Sequence, residues 1–137
     1  KIEELQTFET KKVTVLGLGL AFKPNVDDIR ESPALLISKK LTHKKGLLNY
    51  IAYDPYVPEN LVPGITCTTD IKKAIAAADI VLVLVKHKKF MELTEEAFCN
   101  KIVLDTCGLM YDIAKKHAKE RLSGARYTSC NFENVSL

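Results

Sequence analysis

Residues 80–85 read IVLVLV, six consecutive apolar side chains with no polar residue breaking the run. Successive side chains of a strand point to opposite faces of its sheet, so a strand of this composition must be covered on both faces. That demand excludes a one-sided antiparallel sheet open to water and calls for parallel strands between two layers of helix. The flanking sequence supplies both. Residues 12–16 (KVTVL) form a β-branched run ended by Gly17 and Gly19, and 48–53 read as a second strand running into Asp54-Pro55. Residues 101–106 (KIVLDT) and 126–130 read as two more. Between them come helical patterns over 34–42, from Thr69 or Asp70 through Ala78, and over 112–122, with one or two short helical turns over 90–98 capped at Thr94.

The resulting alternation of strand and helix predicts an α/β chain, a Rossmann-like three-layer αβα sandwich whose mostly parallel sheet has about five strands. At 137 residues the chain suits one core. Residues 1–11, with Ile2, Leu5 and Phe8 at helical spacing, read as the end of a connecting helix; 12–130 form the domain, and 131–137 (NFENVSL) form a tail without usable pattern.

Composition narrows function mainly by exclusion. The net charge of +3 is small, and the lysine clusters at 39–40, 44–45, 86–89 and 115–116 lie near element ends with no interleaved aromatic platform, so no nucleic-acid partner is expected. No apolar run reaches the roughly 18 to 20 residues of a membrane span, and the opening KIEELQTFETKK resembles neither a signal nor a transit peptide. No membrane association and a cytoplasmic location are expected. Cys67, Cys99, Cys107 and Cys130 show no paired Cys/His spacing, so no metal site is expected and the thiols read as free.

The segment between the first strand and its helix carries most of the functional signal. The next helix start is Ser32-Pro33, a capping serine with proline at the first helical position. Loops as long as 20–31 inside compact α/β domains are usually functional. This one holds Lys23 and Arg30, a point charge and a bidentate fork suited to phosphate or sugar oxygens, beside Asp27, Asp28 and Glu31. The competing reading is a solvated network of ion pairs among all five. In parallel sheets ligands lie beyond the carboxyl ends of the strands. The expected crevice is therefore bounded by 20–31, Asp54, 86–90 and 106–109. Gly17-Leu18-Gly19 matches the start of a dinucleotide fingerprint, but Phe22 replaces its third glycine and no helix opens behind it. Asp54 matches a ribose-binding acid in position, yet Asp-Pro is also a plain turn initiator.

Residues 19–34 (GLAFKPNVDDIRESPA) resemble the signature of the C-terminal, UDP-binding domain of the UDP-glucose/GDP-mannose dehydrogenase family. The resemblance continues through Tyr53-Asp54-Pro55, 77–81, 85–87 with Phe90, and Asp105-Thr106, over roughly residues 10 to 112. Within the family, the His87 and Phe90 pattern and 104–108 are most similar to UDP-N-acetyl-D-mannosamine dehydrogenases. The resemblance implies a domain that covers a UDP-sugar, joined to an N-terminal NAD-binding domain and a central helical segment in a homo-oligomeric enzyme. That enzyme oxidises a sugar C6 alcohol twice, to a carboxylate, through a cysteine thiohemiacetal and thioester. It also implies that Phe22 and Lys23 bind the UDP-sugar and that Arg30 reaches NAD held mainly by the other domains. No catalytic residue is assigned here: none of the four cysteines stands in the nucleophile's glycine-rich context, so the chain alone is expected to be inactive. Where many members carry an arginine or lysine after the Asp105 position, this sequence has Cys107. The alternative reading is therefore a non-catalytic nucleotide-binding or interaction module whose substrate site has decayed.

Overall fold

The computed structural model describes residues 12–44, 46–122 and 133–136. Strands β1 (Val13–Leu18), β2 (Leu48–Tyr53), β3 (Ile80–Val83), β4 (Ile102–Asp105) and β5 (Glu133–Ser136) pair in the order β2-β1-β3-β4-β5, every pairing parallel. Helices α1 (Pro33–Thr42), α2 (Ile71–Ala77) and α3 (Leu109–Leu122) and the 3₁₀ turns Lys88–Glu92 and Glu95–Phe98 fill the crossovers. The chain builds outward in one direction from β1 to β2 and in the other from β3 onward. The carboxyl ends of β1 and β3 therefore flank a topological switch point, where doubly wound sheets take their ligands.

Period-two alternation sorts the strand side chains into two cores. Leu16, Leu18, Val81 and Val83 face α2, the 3₁₀ turns and α3, packing on Ile75, Phe90, Phe98 and Ile113. Val13, Val15, Ile80 and Leu82 face the other way, with Leu48, Tyr50 and the partly buried Leu35 and Leu41 of α1. Phe90 and Phe98 are 1% and 0% exposed, and burying each stabilises the fold by about 2 to 3 kcal/mol. Both sheet faces are thus occupied, as the apolar run of β3 requires.

Local signals explain the element starts. Ser32 is extended (φ −73°, ψ 122°) and its hydroxyl accepts from the Leu35 amide, with Pro33 at the first helical position. Asp70 caps α2 by accepting from the Lys73 amide. The other end of α2 has no basic residue in its last turn; Lys101 supplies one from outside the helix, its Nζ donating to the carbonyls of Ala76 and Ala78 at 2.7 Å each. Lys101→Met keeps the stem and removes these bonds, and is expected to lower stability by about 1 kcal/mol. A urea unfolding midpoint unchanged from wild type would show that water replaces the ammonium without loss.

Several boundaries depart from the sequence expectation. β3 stops at Val83: the Leu84 amide makes the last ladder bond, to the Leu18 carbonyl, and the Val85 amide turns back to the same oxygen instead of continuing along β1. Helix α3 begins at Leu109, earlier than residue 112, because Asp105 at the end of β4 takes up the Cys107, Gly108 and Met110 amides. The strand beside β4 is Glu133–Ser136, within the stretch expected to be a tail, and it pairs through backbone groups that need no apolar run. The strand expected at 126–130 and the helix end expected at 1–11 lie outside the described residues. Cys67 and Cys107 are free thiols as expected, but Cys99 is disulfide-bonded. Spacing along the chain carries no sign of that bond, which depends on proximity in space. Cys130 lies outside the described residues.

Candidate functional site

The β1–α1 connection is a braced loop. Gly19, at φ 105°, turns the chain off β1, and its amide donates to the Tyr53 carbonyl at 2.8 Å. The next two amides, of Leu20 and Ala21, both donate to Asp54 Oδ2 at 2.8 and 3.1 Å. At the far end the Ser32 hydroxyl, while capping α1, donates to the Leu20 carbonyl at 2.7 Å. The loop thus closes on itself where it leaves and rejoins the rim. Its outer turn is closed by the Phe22 amide on the Asp28 carbonyl at 2.7 Å.

The loop tip is held by the segment after β3. The Asn25 amide donates to His87 Nδ1 at 2.9 Å, and Asn25 Oδ1 accepts from the Lys88 amide at 2.6 Å. Asn25 has φ 65°, a left-handed conformation that asparagine tolerates. His87 Nε2 is 2.8 Å from Asp54 Oδ2, with both side chains fully buried. Asp54 Oδ1 accepts from the Tyr56 amide at 2.8 Å. Burial alone pushes the Asp54 carboxyl up, but the bonds from His87 and from the Leu20 and Tyr56 amides outweigh it and hold the group below its usual range.

So held, the loop presents Phe22, Lys23, Val26, Asp28, Arg30 and Glu31 around one open cavity of 610 Å³. Phe22 is 50% exposed, an apolar face that the loop leaves to solvent. Arg30 donates to both Asp28 carboxylate oxygens, at 3.1 Å from Nε and 3.0 Å from Nη2, and its side chain is 86% exposed. The side-chain bond from Arg30 is the main cause that brings the Asp28 carboxyl down to about 2, and Lys23 adds a smaller pull. Lys23 has no ion pair among the described residues. The competing reading, a network using all five charges, thus reduces among the described residues to the Asp28–Arg30 pair. Lys23 and Arg30 both line the cavity.

The second half of the rim is the β3 and β4 ends. Thr106 Oγ1 donates to the Val83 carbonyl at 2.7 Å, and Lys86 Nζ pairs with Asp112 Oδ2 at 2.8 Å. The bond from Asp112 is the main cause that raises the Lys86 pKa, with Cys107 and Asp105 close enough to act on the same charge. Among the described residues no cluster of histidine, cysteine and carboxylates could hold a metal ion, and no helix is long and apolar enough to cross a membrane.

The model of the UDP-glucose/GDP-mannose dehydrogenase family's UDP binding domain matches residues 16–112, which takes in the loop, Asp54, His87 and the β4 end. The chain belongs to this family. It is 35% identical over 100 residues to UDP-N-acetyl-D-mannosamine dehydrogenase of Salmonella typhi, a match covering 72% of this chain and 24% of that protein. It is 33% identical over 102 residues to NDP-N-acetyl-D-galactosaminuronic acid dehydrogenase of Ralstonia solanacearum, covering 72% and 23%. The structure of UDP-D-ManNAc dehydrogenase from Pyrococcus horikoshii superposes with a TM-score of 0.66 at 20% identity, over 98% of this chain and 28% of that one, a likeness of fold. The chain spans about a quarter of the length of these relatives.

Within this UDP-binding domain the rim does not fit a dinucleotide bound by the chain alone. The amides that would meet a pyrophosphate behind the glycine turn, those of Leu20 and Ala21, are committed to Asp54. Asp54, the residue placed for a ribose, is buried and accepts from the Leu20, Ala21 and Tyr56 amides and His87. It is neither a ribose ligand nor only a turn initiator, and its partnership with His87 is the part of the site that sequence reasoning missed. The available signal was the placement of both residues just past strand ends, where polar groups of a parallel sheet converge.

Proposed function

We propose that the loop 20–32 is the UDP-sugar-binding element of an NAD-dependent UDP-sugar 6-dehydrogenase. In this reading Phe22 and Lys23 contact the nucleotide sugar, and Arg30 reaches toward NAD held by an N-terminal domain of the same enzyme. UDP-N-acetyl-D-mannosamine or a close relative is the substrate, oxidised to its uronic acid, a precursor class for polysaccharides. The enzyme works in the cytoplasm as a homo-oligomer whose central helical segment adjoins this domain. The observation that carries the reading is the convergence of Phe22, Lys23 and Arg30 on one cavity beside the β1/β3 switch point. Neither free thiol, Cys67 nor Cys107, stands among the residues lining that cavity. The nucleophile therefore belongs to another domain in this proposal, and the chain by itself does not turn over.

Two titrations separate this from a module with a decayed site. A UDP-sugar added to the chain in a calorimeter is expected to bind, and Lys23→Ala to weaken binding about tenfold, the equivalent of one charge-assisted phosphate contact of about 1.4 kcal/mol. Combined with the remaining domains, the same substitution is expected to lower kcat/KM by at least that factor. Equal affinity of wild type and Lys23→Ala removes Lys23 from the site. The decayed-site reading rests on Cys107; against it, Lys86 brings a cation to the same end of the rim.

A further inference from the structure

His87 is fully buried, and none of the binding roles assigned above uses it. Its Nδ1 accepts from the Asn25 amide, so that nitrogen carries no proton. The ring proton therefore sits on Nε2 and is donated to Asp54 Oδ2 at 2.8 Å. Asp54 in turn fixes Leu20 and Ala21, the residues just before Phe22 and Lys23. The chain Asp54–His87–Asn25 thus grips the loop on both sides of Lys23, from the ends of the two strands that flank β1.

We propose that Asp54 and His87 are positioning residues that set the Phe22–Lys23 segment for its ligand, and that a second proton on His87 opens this clasp. The proposal rests on the UDP-sugar reading of that segment. The physical reason is donor count. An imidazolium donates from both nitrogens, so Nδ1–H and the Asn25 N–H, now 2.9 Å apart heavy atom to heavy atom, would confront each other with no acceptor between them. The bond to Asn25 must break, and with it the attachment of the loop tip.

The groups facing the ring are of both signs. Asp54 lies at Nε2 and favours the extra proton. The ring lies 4.8 Å from Tyr56 and 5.4 Å from Phe90, centroid to centroid, and Lys89 Nζ stands 5.0 Å over the Tyr56 ring. Tyr53, from β2, lies 6.2 Å from Phe90, centroid to centroid. Lys86 and Lys88 flank His87 in sequence, and Lys23 and Asp27 flank Asn25 in the loop. Of these, the Asp54 carboxylate and the Asn25 amide touch the ring nitrogens directly, one at Nε2 and the other at Nδ1.

The test follows two signals through a pH titration of the chain. Nitrogen-15 NMR is expected to show His87 as the Nε2–H tautomer at pH 8. On acidification the Asn25 and Lys23 amides should shift with the same midpoint as the His87 ring nitrogens. UDP-N-acetylglucosamine, whose diphosphate diester does not titrate in this window, serves as the binding probe. Its affinity is expected to fall about tenfold through that midpoint. His87→Phe, which offers neither bond, should weaken binding at every pH. His87→Gln, whose amide can donate to Asp54 and accept from Asn25 without titrating, should recover much of that loss and show no pH step. An Nδ1–H tautomer at pH 8, or loop amides indifferent to the His87 titration, overturns the proposal. If the amides follow His87 but the probe binds at no pH, the clasp stands and the nucleotide reading of Lys23 falls.

Discussion

Gly19→Ala is expected to destabilise the fold by about 2 to 6 kcal/mol, lowering the melting temperature by roughly 10 °C or more. Gly19 sits at φ 105°, outside the regions open to residues with a side chain, which costs about 1 to 3 kcal/mol by itself. An added Cβ would also lie 2.6 Å from Val85 Cβ and 2.8 Å from the Val85 backbone nitrogen. The obstacle includes main chain, so no rotamer change relieves it, and forcing such contacts costs about 1 to 3 kcal/mol more. Gly64 supplies the internal comparison: it has φ 87°, but a Cβ there would meet nothing within 4 Å, so Gly64→Ala should cost only the backbone part. Differential scanning calorimetry on both variants reads the two parts separately. Equal losses at the two positions would show that the turn after β1 and the segment after β3 can part to admit a methyl group.

The same close approach explains why part of the fold was legible in the sequence and part was not. The apolar run at 80–85 and the Ser32-Pro33 cap are local signals, and the two-sided sheet and the α1 start follow from them. The run could not show where β3 ends. That is decided by Leu18, which attracts the Leu84 and Val85 amides from a strand more than sixty positions away. The start of α3 is similar: the carboxylate that takes up its early Met110 amide, Asp105, belongs to the preceding strand end and lies outside the helical pattern read from 112. β5 has no apolar alternation to read, being recruited by backbone pairing with β4.

The candidate site divides along the same line. Phe22, Lys23 and Arg30 are close in sequence, and their motif announced them; the structure adds that they share one cavity and that Arg30 is already paired with Asp28. Asp54 and His87 are 33 positions apart. Each has a bland local reading, a turn aspartate and a histidine in a lysine-rich stretch, and their pairing appears only once β2 and β3 are known to lie on either side of β1.

Asp54→Ala is expected to cost about 3 to 5 kcal/mol at neutral pH, because it strands donors in a buried place. The Leu20, Ala21 and Tyr56 amides and the His87 ring nitrogen all lose their acceptor at once, and a buried donor left unsatisfied costs about 1 to 3 kcal/mol before any relaxation admits water. The pH dependence has a definite sign. The folded-state pKa of Asp54 lies below the ordinary aspartate value, so the folded protein holds the ionised form more tightly than the unfolded chain does. That contribution is complete above the unfolded pKa, near 3.9, and disappears as pH falls through the folded value. The stability gap between wild type and Asp54→Ala should accordingly be widest at neutral pH and begin to close below about pH 4. Urea unfolding of both proteins at several pH values measures it. A gap that stayed constant down through that range would mean that the carboxylate charge does nothing at this position and that shape alone holds the loop to the rim.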